Sequence, residues 1–292
     1  MASLPQGFLA AGMHAGLKSS GAFDLTLIQN VGPRFDAAAV YTSNQVVAAP
    51  VIWSREVTKG SIVRAAILNS GGANACTGPE GFLDTHRTAE KVGELLEISS
   101  GEVVVCSTGL IGERLPLEKI LNGAQKLSQS MRSDSLEDVA RAIMTTDTVP
   151  KIAEHEIRST RTVGIAKGAG MLAPALATML SVVMTDAILP PNAQEMFSRV
   201  CDRTFNRIDS DGCMSTNDQV TLMASGASGV RPDLAEFTKN LQAVCLDLAK
   251  QLQHDAEGSS HDITITVSGA ASEADAEEVG RSVARNNLFK AA

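Results

Sequence analysis

Aromatic side chains are scarce in this sequence, where they make up 3% of 292 residues, with one Trp and one Tyr. A protein that stacks nucleic-acid bases on its surface needs more of them. Positive charge is also in deficit, because 25 Lys and Arg stand against 33 Asp and Glu, for a formal net charge of -8. These two shortages exclude nucleic acid as an expected partner.

Cysteine is sparse as well: the five cysteines are spread along the chain without a C-x-x-C pair, and the five histidines are scattered. This pattern predicts reduced thiols in a cytoplasmic protein and no metal site. No apolar run approaches the roughly 18 residues of a membrane span. The first 18 residues also lack the basic run and cleavage motif of a signal peptide. We therefore expect a soluble cytoplasmic protein with no membrane partner.

The remaining composition is that of a globular protein, with 44% hydrophobic and 20% charged residues. Its length suits one large domain or two closely packed ones. Short runs of β-branched and small residues, bounded by Gly and Pro, predict strands. The predicted strands are 24–28, 37–42, 65–69, 103–106 and 162–165, and the alternating Ile and Thr of 263–267 predict another.

Apolar residues at three- and four-residue spacing predict a helix over 234–252, and weaker patterns predict helices over 85–96, 135–144 and 192–206. The Ser135 hydroxyl is the expected cap of its helix. A last helix is expected to begin at Ser272, with an apolar face formed by Val279, Val283 and Leu288. Strands and helices mixed in this way predict a compact α/β protein whose halves share one core.

Two glycine-containing segments are candidates for function. Residues 168–173 match the dinucleotide-binding pattern G-x-G-x-x-A, but Pro174 follows at once, so a turn leading into a strand is the favoured interpretation. Ser107, Thr108 and Gly109 follow a predicted strand, where hydroxyl and backbone N–H groups could form an oxyanion hole or a plain turn. No G-x-S-x-G motif supplies a serine nucleophile.

Six blocks of the sequence resemble, in order, those of the ornithine acetyltransferase family, the bifunctional glutamate N-acetyltransferases of arginine biosynthesis. The blocks cover essentially the whole chain. They are NSGGANACTG at 69–78, CSTGLIG at 106–112, AIMTTDT at 142–148, KGAGMLAPALATML at 167–180 with TDA at 185–187, DGCMSTND at 211–218 and DAEG at 255–258. The resemblance implies an α/β sandwich of the self-processing type that threonine aminopeptidase-like enzymes share.

The resemblance also implies a nucleophile, Thr178, created by self-cleavage of the bond between Ala177 and Thr178. Residues 1–177 and 178–292 would then be two chains that share one core. The new α-amino group of Thr178 has an unperturbed pKa of about 7.7–8.0 and can act as general base for its own hydroxyl. This chemistry needs no histidine.

By the same resemblance, Thr108 and Gly109 form the oxyanion hole, and Thr145, Lys167, Thr178 and Glu257 contact the substrate. Lys167 suits an α-carboxylate and Glu257 the ammonium group of ornithine. From the residues alone, the favoured interpretations are a solvated loop lysine for Lys167 and a water-facing position in the last turn of the 234–252 helix for Glu257.

The expected reaction is ping-pong: Thr178 takes the acetyl group from N2-acetylornithine, ornithine leaves, and glutamate accepts the acetyl group. The expected partners are these small molecules, with no cofactor and no metal. Whether acetyl-CoA is a further donor stays open. The family's assembly implies a heterotetramer, with two copies of each chain.

The family's chain continues beyond this sequence into an F-G-x-D-P-N-W-G-R-like block. On this ground we expect uncovered apolar surface or sheet edges and reduced solubility or stability. Three alternative hypotheses remain: a self-processing threonine aminopeptidase or amidase, an inactive truncated family member, and, more remotely, a dinucleotide-binding protein.

Overall fold

The computed structural model describes residues 3–173 and 179–291, which form nine strands and eight α-helices. The strands are β1 Phe8–Met13, β2 Leu25–Asn30, β3 Asp36–Tyr41, β4 Ala65–Asn69, β5 Val103–Ser107, β6 Lys151–Ile157, β7 Thr160–Lys167, β8 Leu180–Thr185 and β9 Gln219–Ala224. The helices are α1 Ala49–Thr58, α2 Gly78–Leu96, α3 Leu117–Ser128, α4 Leu136–Ala142, α5 Ala193–Asp202, α6 Leu234–His254, α7 Glu273–Ala284 and α8 Asn287–Ala291.

The strands divide into two sheets. The first has the order β1-β2-β4-β5 and the second β3-β9-β8-β7-β6. Strands β4 and β5 run parallel, as do β8 and β9, and all other neighbours are antiparallel. In the second sheet Leu180 pairs with both Lys167 and Gln219. The end of β7 and the starts of β8 and β9 therefore lie together.

The two sheets face each other across a buried apolar layer. Ile28, Leu68 and Cys106 of the first sheet belong to the same core cluster as Val182 and Met184 of the second. Each of these residues is 2% exposed or less. Alternate side chains of a strand point to opposite faces, so the residues between them face outward.

Helices cover both outer faces. Val92 of α2 and Ile120 of α3 pack with Leu27 on the outside of the first sheet. Phe197 of α5 and Leu241 of α6 belong to the cluster on the outside of the second sheet. The result is a four-layer sandwich, helices–sheet–sheet–helices, and the predicted α/β sandwich is confirmed. None of the helices in the described ranges has both the length and the apolar character to cross a membrane.

Strand β5 is an edge strand, and α1 supplies side-chain partners for its free backbone groups. The Trp53 indole N–H donates to the carbonyl of Val103 at 2.9 Å. The Ser54 hydroxyl donates to the carbonyl of Val105 at 2.9 Å and accepts from its N–H at 3.0 Å. Because α1 satisfies these groups, the β5 edge of the first sheet is closed to pairing with another strand.

The predicted strand over 263–267 is wrong. Residues 258–272 contain neither helix nor strand, and Ile263 is 48% exposed. Alternation alone does not make a strand, which also needs a hydrogen-bonded neighbour, and none is paired with this segment. The predicted last helix exists as α7, but its apolar face is not buried: Val279 is 52% exposed, and no residue of α7 is buried.

The predicted cap at Ser135 is also wrong, although its helix α4 is present. The side chain of Ser135 makes no capping hydrogen bond. Its hydroxyl donates instead to the carbonyl of Ala10 in β1, at 2.6 Å. Ser135 therefore ties the start of α4 to the other edge of the first sheet.

Replacing Ser54 by Ala removes a hydroxyl that serves both backbone groups of Val105. Both groups are buried, so we expect the free energy of unfolding to fall by about 1–3 kcal/mol. Urea denaturation measures this change. The matched control is Ser282→Ala on the exposed surface of α7, which we expect to alter stability by less than about 0.5 kcal/mol. Equal effects of the two substitutions would contradict the role given to Ser54.

Candidate active site

Chemically useful side chains gather at one end of the sandwich. The first sheet brings the end of β5, at Ser107, to this region, and the second sheet brings the end of β7, at Lys167. The starts of β8 and β9 lie beside Lys167 in the strand register. Residues far apart in the chain therefore meet here.

The turn after β5 is held firmly. The N–H of Thr108 donates to the carbonyl of Asn69 at 3.0 Å, and the amide of Asn69 donates to the Ser107 hydroxyl at 2.6 Å. Gly109 has φ +132°, and a Cβ there would lie 2.9 Å from backbone atoms of Gly72. Only glycine fits this backbone. The turn thus presents a fixed hydroxyl next to the exposed Gly109.

Lys167 lies against this turn. Its side chain is buried, with the residue 2% exposed, and its Nζ donates to the Thr108 hydroxyl at 3.3 Å. Burial lowers the pKa of Lys167 from its usual 10.5, and the carboxylate of Asp147 opposes this shift. The solvated-loop interpretation of Lys167 is therefore wrong. A buried ammonium group next to a hydroxyl suits the binding of a small anion.

Asp147 organises the neighbouring loop, a role that no sequence motif indicates. Its carboxylate accepts the N–H of Thr145 at 2.9 Å and that of Gly168 at 2.6 Å. Burial alone would raise the pKa of Asp147, but the ammonium groups of Lys167 and Lys151 outweigh it and hold that pKa below the usual 3.8. Asp147 is therefore a stable anion that joins Thr145 to the Lys167 segment.

Lys151 is the second buried cation of this region and was not singled out by the sequence. Its side chain is fully buried, and Nζ donates to Asp147 at 2.7 Å and to Asp255 at 2.6 Å. Burial would raise the pKa of Asp255, but hydrogen bonds from Lys151 and Thr148 lower it below 3.8. Both Asp147 and Asp255 belong to blocks recognised in the sequence, but their pairing with Lys151 depends on the fold.

Glu257 lies three residues beyond the end of α6 and not in its last turn. Its backbone N–H donates to the carbonyl of Ala169 at 2.8 Å, and its carboxylate accepts the Thr146 hydroxyl. A Cβ on Gly170 would lie 2.9 Å from the Glu257 carboxylate, so Gly170 leaves room for it. Glu257 itself is exposed, which makes its carboxylate accessible to a ligand.

Asp218 is a further residue that sequence reasoning missed. It is completely buried, and it accepts the N–H of Met179 at 3.0 Å. Burial raises its pKa well above the usual 3.8, which favours the protonated acid. Thr178 and Ala177, the predicted nucleophile and cleavage site, lie outside the described residues. Asp218 fixes the backbone immediately after them.

Some of the predicted site residues touch each other directly, and others are linked only through a third residue. Thr108 and Lys167 are in direct contact. Thr145 is linked to the Lys167 segment because Asp147 accepts the backbone N–H groups of both Thr145 and Gly168. Glu257 is linked to the same segment by the hydrogen bond of its N–H to the carbonyl of Ala169. No helix begins in 168–173, so this segment lacks the helix N-terminus on which a dinucleotide-binding glycine motif depends.

Within residues 3–173 and 179–291, no group of three or more His, Cys, Asp or Glu side chains is arranged to hold a metal ion. The carboxylates of Asp147 and Asp255 are instead paired with the ammonium group of Lys151.

Comparison with known structures defines the class of fold first. An aminopeptidase with D-Ala-esterase and amidase activity from Ochrobactrum anthropi, described as a variant of the Ntn hydrolase fold, superposes with a TM-score of 0.51. The alignment covers 89% of this chain and 90% of that one at 10% identity. The similarity shows that the two proteins share the fold.

Sequence comparison then identifies the family. The model of the ArgJ family matches residues 9–292, and the chain belongs to that family. The arginine biosynthesis bifunctional protein ArgJ of Streptomyces avermitilis is 57% identical over 98% of this chain and 75% of its own length. An ornithine acetyltransferase from Mycobacterium tuberculosis, solved in complex with ornithine, has 49% identity and a TM-score of 0.53 over 58% of this chain and 92% of that one. The resemblance seen in the sequence is confirmed.

Replacing Lys151 by Met leaves the buried carboxylates of Asp147 and Asp255 without their shared cation. We expect the free energy of unfolding at neutral pH to fall by about 3–5 kcal/mol. In the wild type both carboxylates have lowered pKa values, so their stabilisation is present above pH 3.8 and is lost as the pH falls below it. In the variant the uncompensated charges are removed by protonation, so its deficit shrinks as the pH falls.

Urea unfolding at neutral and acidic pH measures both effects. Lys59→Met, which breaks an exposed pair with Glu56, is the control and should change stability little at either pH. A deficit of Lys151→Met that is the same at both pH values would rule out this electrostatic account.

Proposed function

We propose that the chain is an acyltransferase that moves the acetyl group of N2-acetylornithine to glutamate through an acetyl ester on Thr178. The observation that carries this proposal is the buried ammonium group of Lys167 against the Thr108 hydroxyl, 3.3 Å away, in the segment that leads to Thr178. Relatives that bear the name arginine biosynthesis bifunctional protein support the same reaction. An ornithine-bound relative with 49% identity supports the substrate class.

The nucleophile would be made by self-cleavage. The Thr178 hydroxyl attacks the carbonyl carbon of Ala177, the peptide C–N bond breaks, and the acyl group passes to oxygen as an ester. Water hydrolyses this ester, which leaves a carboxylate on Ala177 and a free amine on Thr178. That amine, with an ordinary pKa of about 7.7–8.0, is suited to accept the hydroxyl proton near neutral pH. Asp218 supports this geometry, because it holds the N–H of Met179.

Acetyl transfer would then use the same hydroxyl. The oxygen of Thr178 attacks the acetyl carbonyl, and the developing oxyanion is stabilised by the Thr108 hydroxyl and the Gly109 N–H. The amine of ornithine leaves with the proton that the Thr178 amine took up. The amino group of glutamate next attacks the acetyl ester and returns the enzyme to its starting state.

Substrate recognition would rest on charge. Lys167 binds the α-carboxylate common to ornithine and glutamate, and Thr145 lies beside it through Asp147. The exposed carboxylate of Glu257 binds the side-chain ammonium of ornithine. These roles require no cofactor and no metal. The same acetyl-transfer assay with acetyl-CoA in place of N2-acetylornithine tests whether acetyl-CoA is a second acetyl donor.

The assembly is part of the proposal. Cleavage would give chains 1–177 and 178–292, which stay together because β7 and β8, on either side of the cut, pair over six residues of one sheet. Two copies of each chain would form a heterotetramer. We place the enzyme in the cytoplasm, where free thiols such as the buried Cys106, Cys201 and Cys245 stay reduced.

Intact-mass measurement and an acetyl-transfer assay test the proposal together. The expected result is two fragments, the smaller beginning Thr-Met-Leu-Ser, and transfer of acetyl from acetylornithine to glutamate faster than to water. Thr178→Ala should stay uncut and inactive. Acetyl release to water alone would favour an aminopeptidase or amidase, and a folded, uncut wild-type chain would favour an inactive family member.

Replacing Thr108 by Val removes one oxyanion donor and keeps the side-chain shape. We expect kcat, measured on cleaved protein, to fall by about a hundredfold to a thousandfold, which corresponds to roughly 2.7–4 kcal/mol. Steady-state kinetics with acetylornithine and glutamate measure the change. The control is Thr264→Val in the exposed segment after α6, which should leave kcat unchanged. A Thr108→Val enzyme with wild-type kcat would remove Thr108 from the oxyanion hole.

A further inference from the structure

Three segments that carry proposed substrate residues are tied together by one buried ion cluster. The cluster consists of Asp147, Lys151 and Asp255, with Lys151 Nζ 2.7 Å from the first carboxylate and 2.6 Å from the second. Asp147 holds the loop at Thr145 and the backbone at Gly168. Asp255 stands at the start of the third segment.

Asp255 connects its segment to the loop before β6. Its carboxylate accepts the N–H of Thr148 at 2.9 Å and also the Thr148 hydroxyl. Its side chain is 7% exposed. Two residues later Glu257 donates its N–H to Ala169 and accepts the hydroxyl of Thr146, the neighbour of Asp147. The position of the exposed Glu257 therefore depends on its own bonds to Ala169 and Thr146 and on the buried Asp255 two residues before it.

Burial of this cluster is not explained by stability alone. Replacing buried ion pairs by apolar side chains of similar volume is often neutral or stabilising, so such a pair is weak evidence for a purely structural role. Hydrogen bonds to carboxylates are directional, however, so a carboxylate held by such bonds fixes the position of the backbone that follows it. For Asp255 that chain includes Glu257.

We propose that Asp255 is a positioning residue that, anchored by Lys151 and Thr148, sets the place of the Glu257 carboxylate and thereby the affinity for the cationic substrate. The role of Glu257 rests on the function proposed above. Asp255 itself makes no contact with substrate. Its effect is therefore expected on KM for acetylornithine, with much less effect on the acetyl-transfer step.

Asp255→Asn tests the proposal, because it keeps the shape of the side chain and removes the charge that Lys151 and Thr148 hold. We expect KM for acetylornithine to rise about tenfold to a hundredfold, the order of effect of losing a charge-assisted contact between Glu257 and the substrate ammonium, while kcat changes much less. Thr148→Val removes one of the bonds to Asp255 and should give a smaller rise. Asp247→Asn, the same change on the exposed surface of α6, is the matched control and should leave KM and kcat unchanged.

A double-mutant cycle separates positioning from general stabilisation. If Asp255 acts through Glu257, the double variant Asp255→Asn, Glu257→Gln should have the same KM as Glu257→Gln alone. Additive effects on KM, or a lowered melting temperature with an unchanged KM, would overturn the proposal.

Hydrogen exchange gives a readout that does not depend on the reaction. The Glu257 N–H, bonded to Ala169 at 2.8 Å, should exchange faster in Asp255→Asn than in the wild type or in Asp247→Asn. Unchanged exchange in Asp255→Asn would refute the positioning role. An inactive wild type with this exchange pattern would refute the proposed function and leave the positioning of Glu257 supported.

Discussion

The apolar contact between the inner faces of the two sheets is the constraint on which the rest of the molecule depends. It aligns β5 of one sheet with β7, β8 and β9 of the other, so that the ends of β5 and β7 and the starts of β8 and β9 lie at one edge of the sandwich. The Thr108 turn and Lys167 come from different sheets, and only this packing brings Lys167 Nζ within 3.3 Å of the Thr108 hydroxyl. The site is therefore a product of the core and not of any single segment.

At the end of the sandwich, beyond the apolar layer, the buried side chains are charged. Lys151 and Lys167 are both buried, at positions where strands β6 and β7 reach the end of the second sheet. An unpaired ammonium group there would cost several kcal/mol, and Asp147 lies close enough to compensate both. The same carboxylate accepts two backbone N–H groups, so Asp147 both compensates the buried positive charge and holds the loop in place. This coupling explains how a surface-exposed residue such as Glu257 can depend on the interior.

Much of the fold could be predicted from local patterns. Runs of β-branched residues located β2 to β5 and β7, and apolar periodicity located α6 nearly to its ends. Strands β1, β6 and β9 and helices α1 and α3 were missed. Gly and Ala in β1 and mixed polar patterns in the helices resemble loops. The 263–267 segment failed in the opposite way: it has the pattern of a strand, but no neighbour pairs with it.

The residues of the candidate site also fall into those that the sequence predicted and those that it did not. Thr108, Gly109, Thr145, Lys167 and Glu257 were predicted by resemblance to family blocks, and the fold brings them to one end of the sandwich. Asp147, Lys151, Asp218 and Asp255 were not found, because an isolated Asp or Lys carries no signal of burial or of its partner in sequence. Their roles arise from tertiary pairing, such as the contact between Asp218 and the backbone of Met179, 39 residues away.

The order of the second sheet has a consequence for any cut between Ala177 and Thr178. Strands β8 and β9 follow the cut, yet they lie between β3 on one side and β7 and β6 on the other, all of which precede it. The downstream piece would thus be inserted into a gap in the upstream sheet, with a full ladder along each of its two edges. Such a piece cannot leave by simple dissociation, because its departure would split the sheet into separated fragments. The two products would melt together as one cooperative unit, and because unfolding separates them, their melting temperature would fall on dilution.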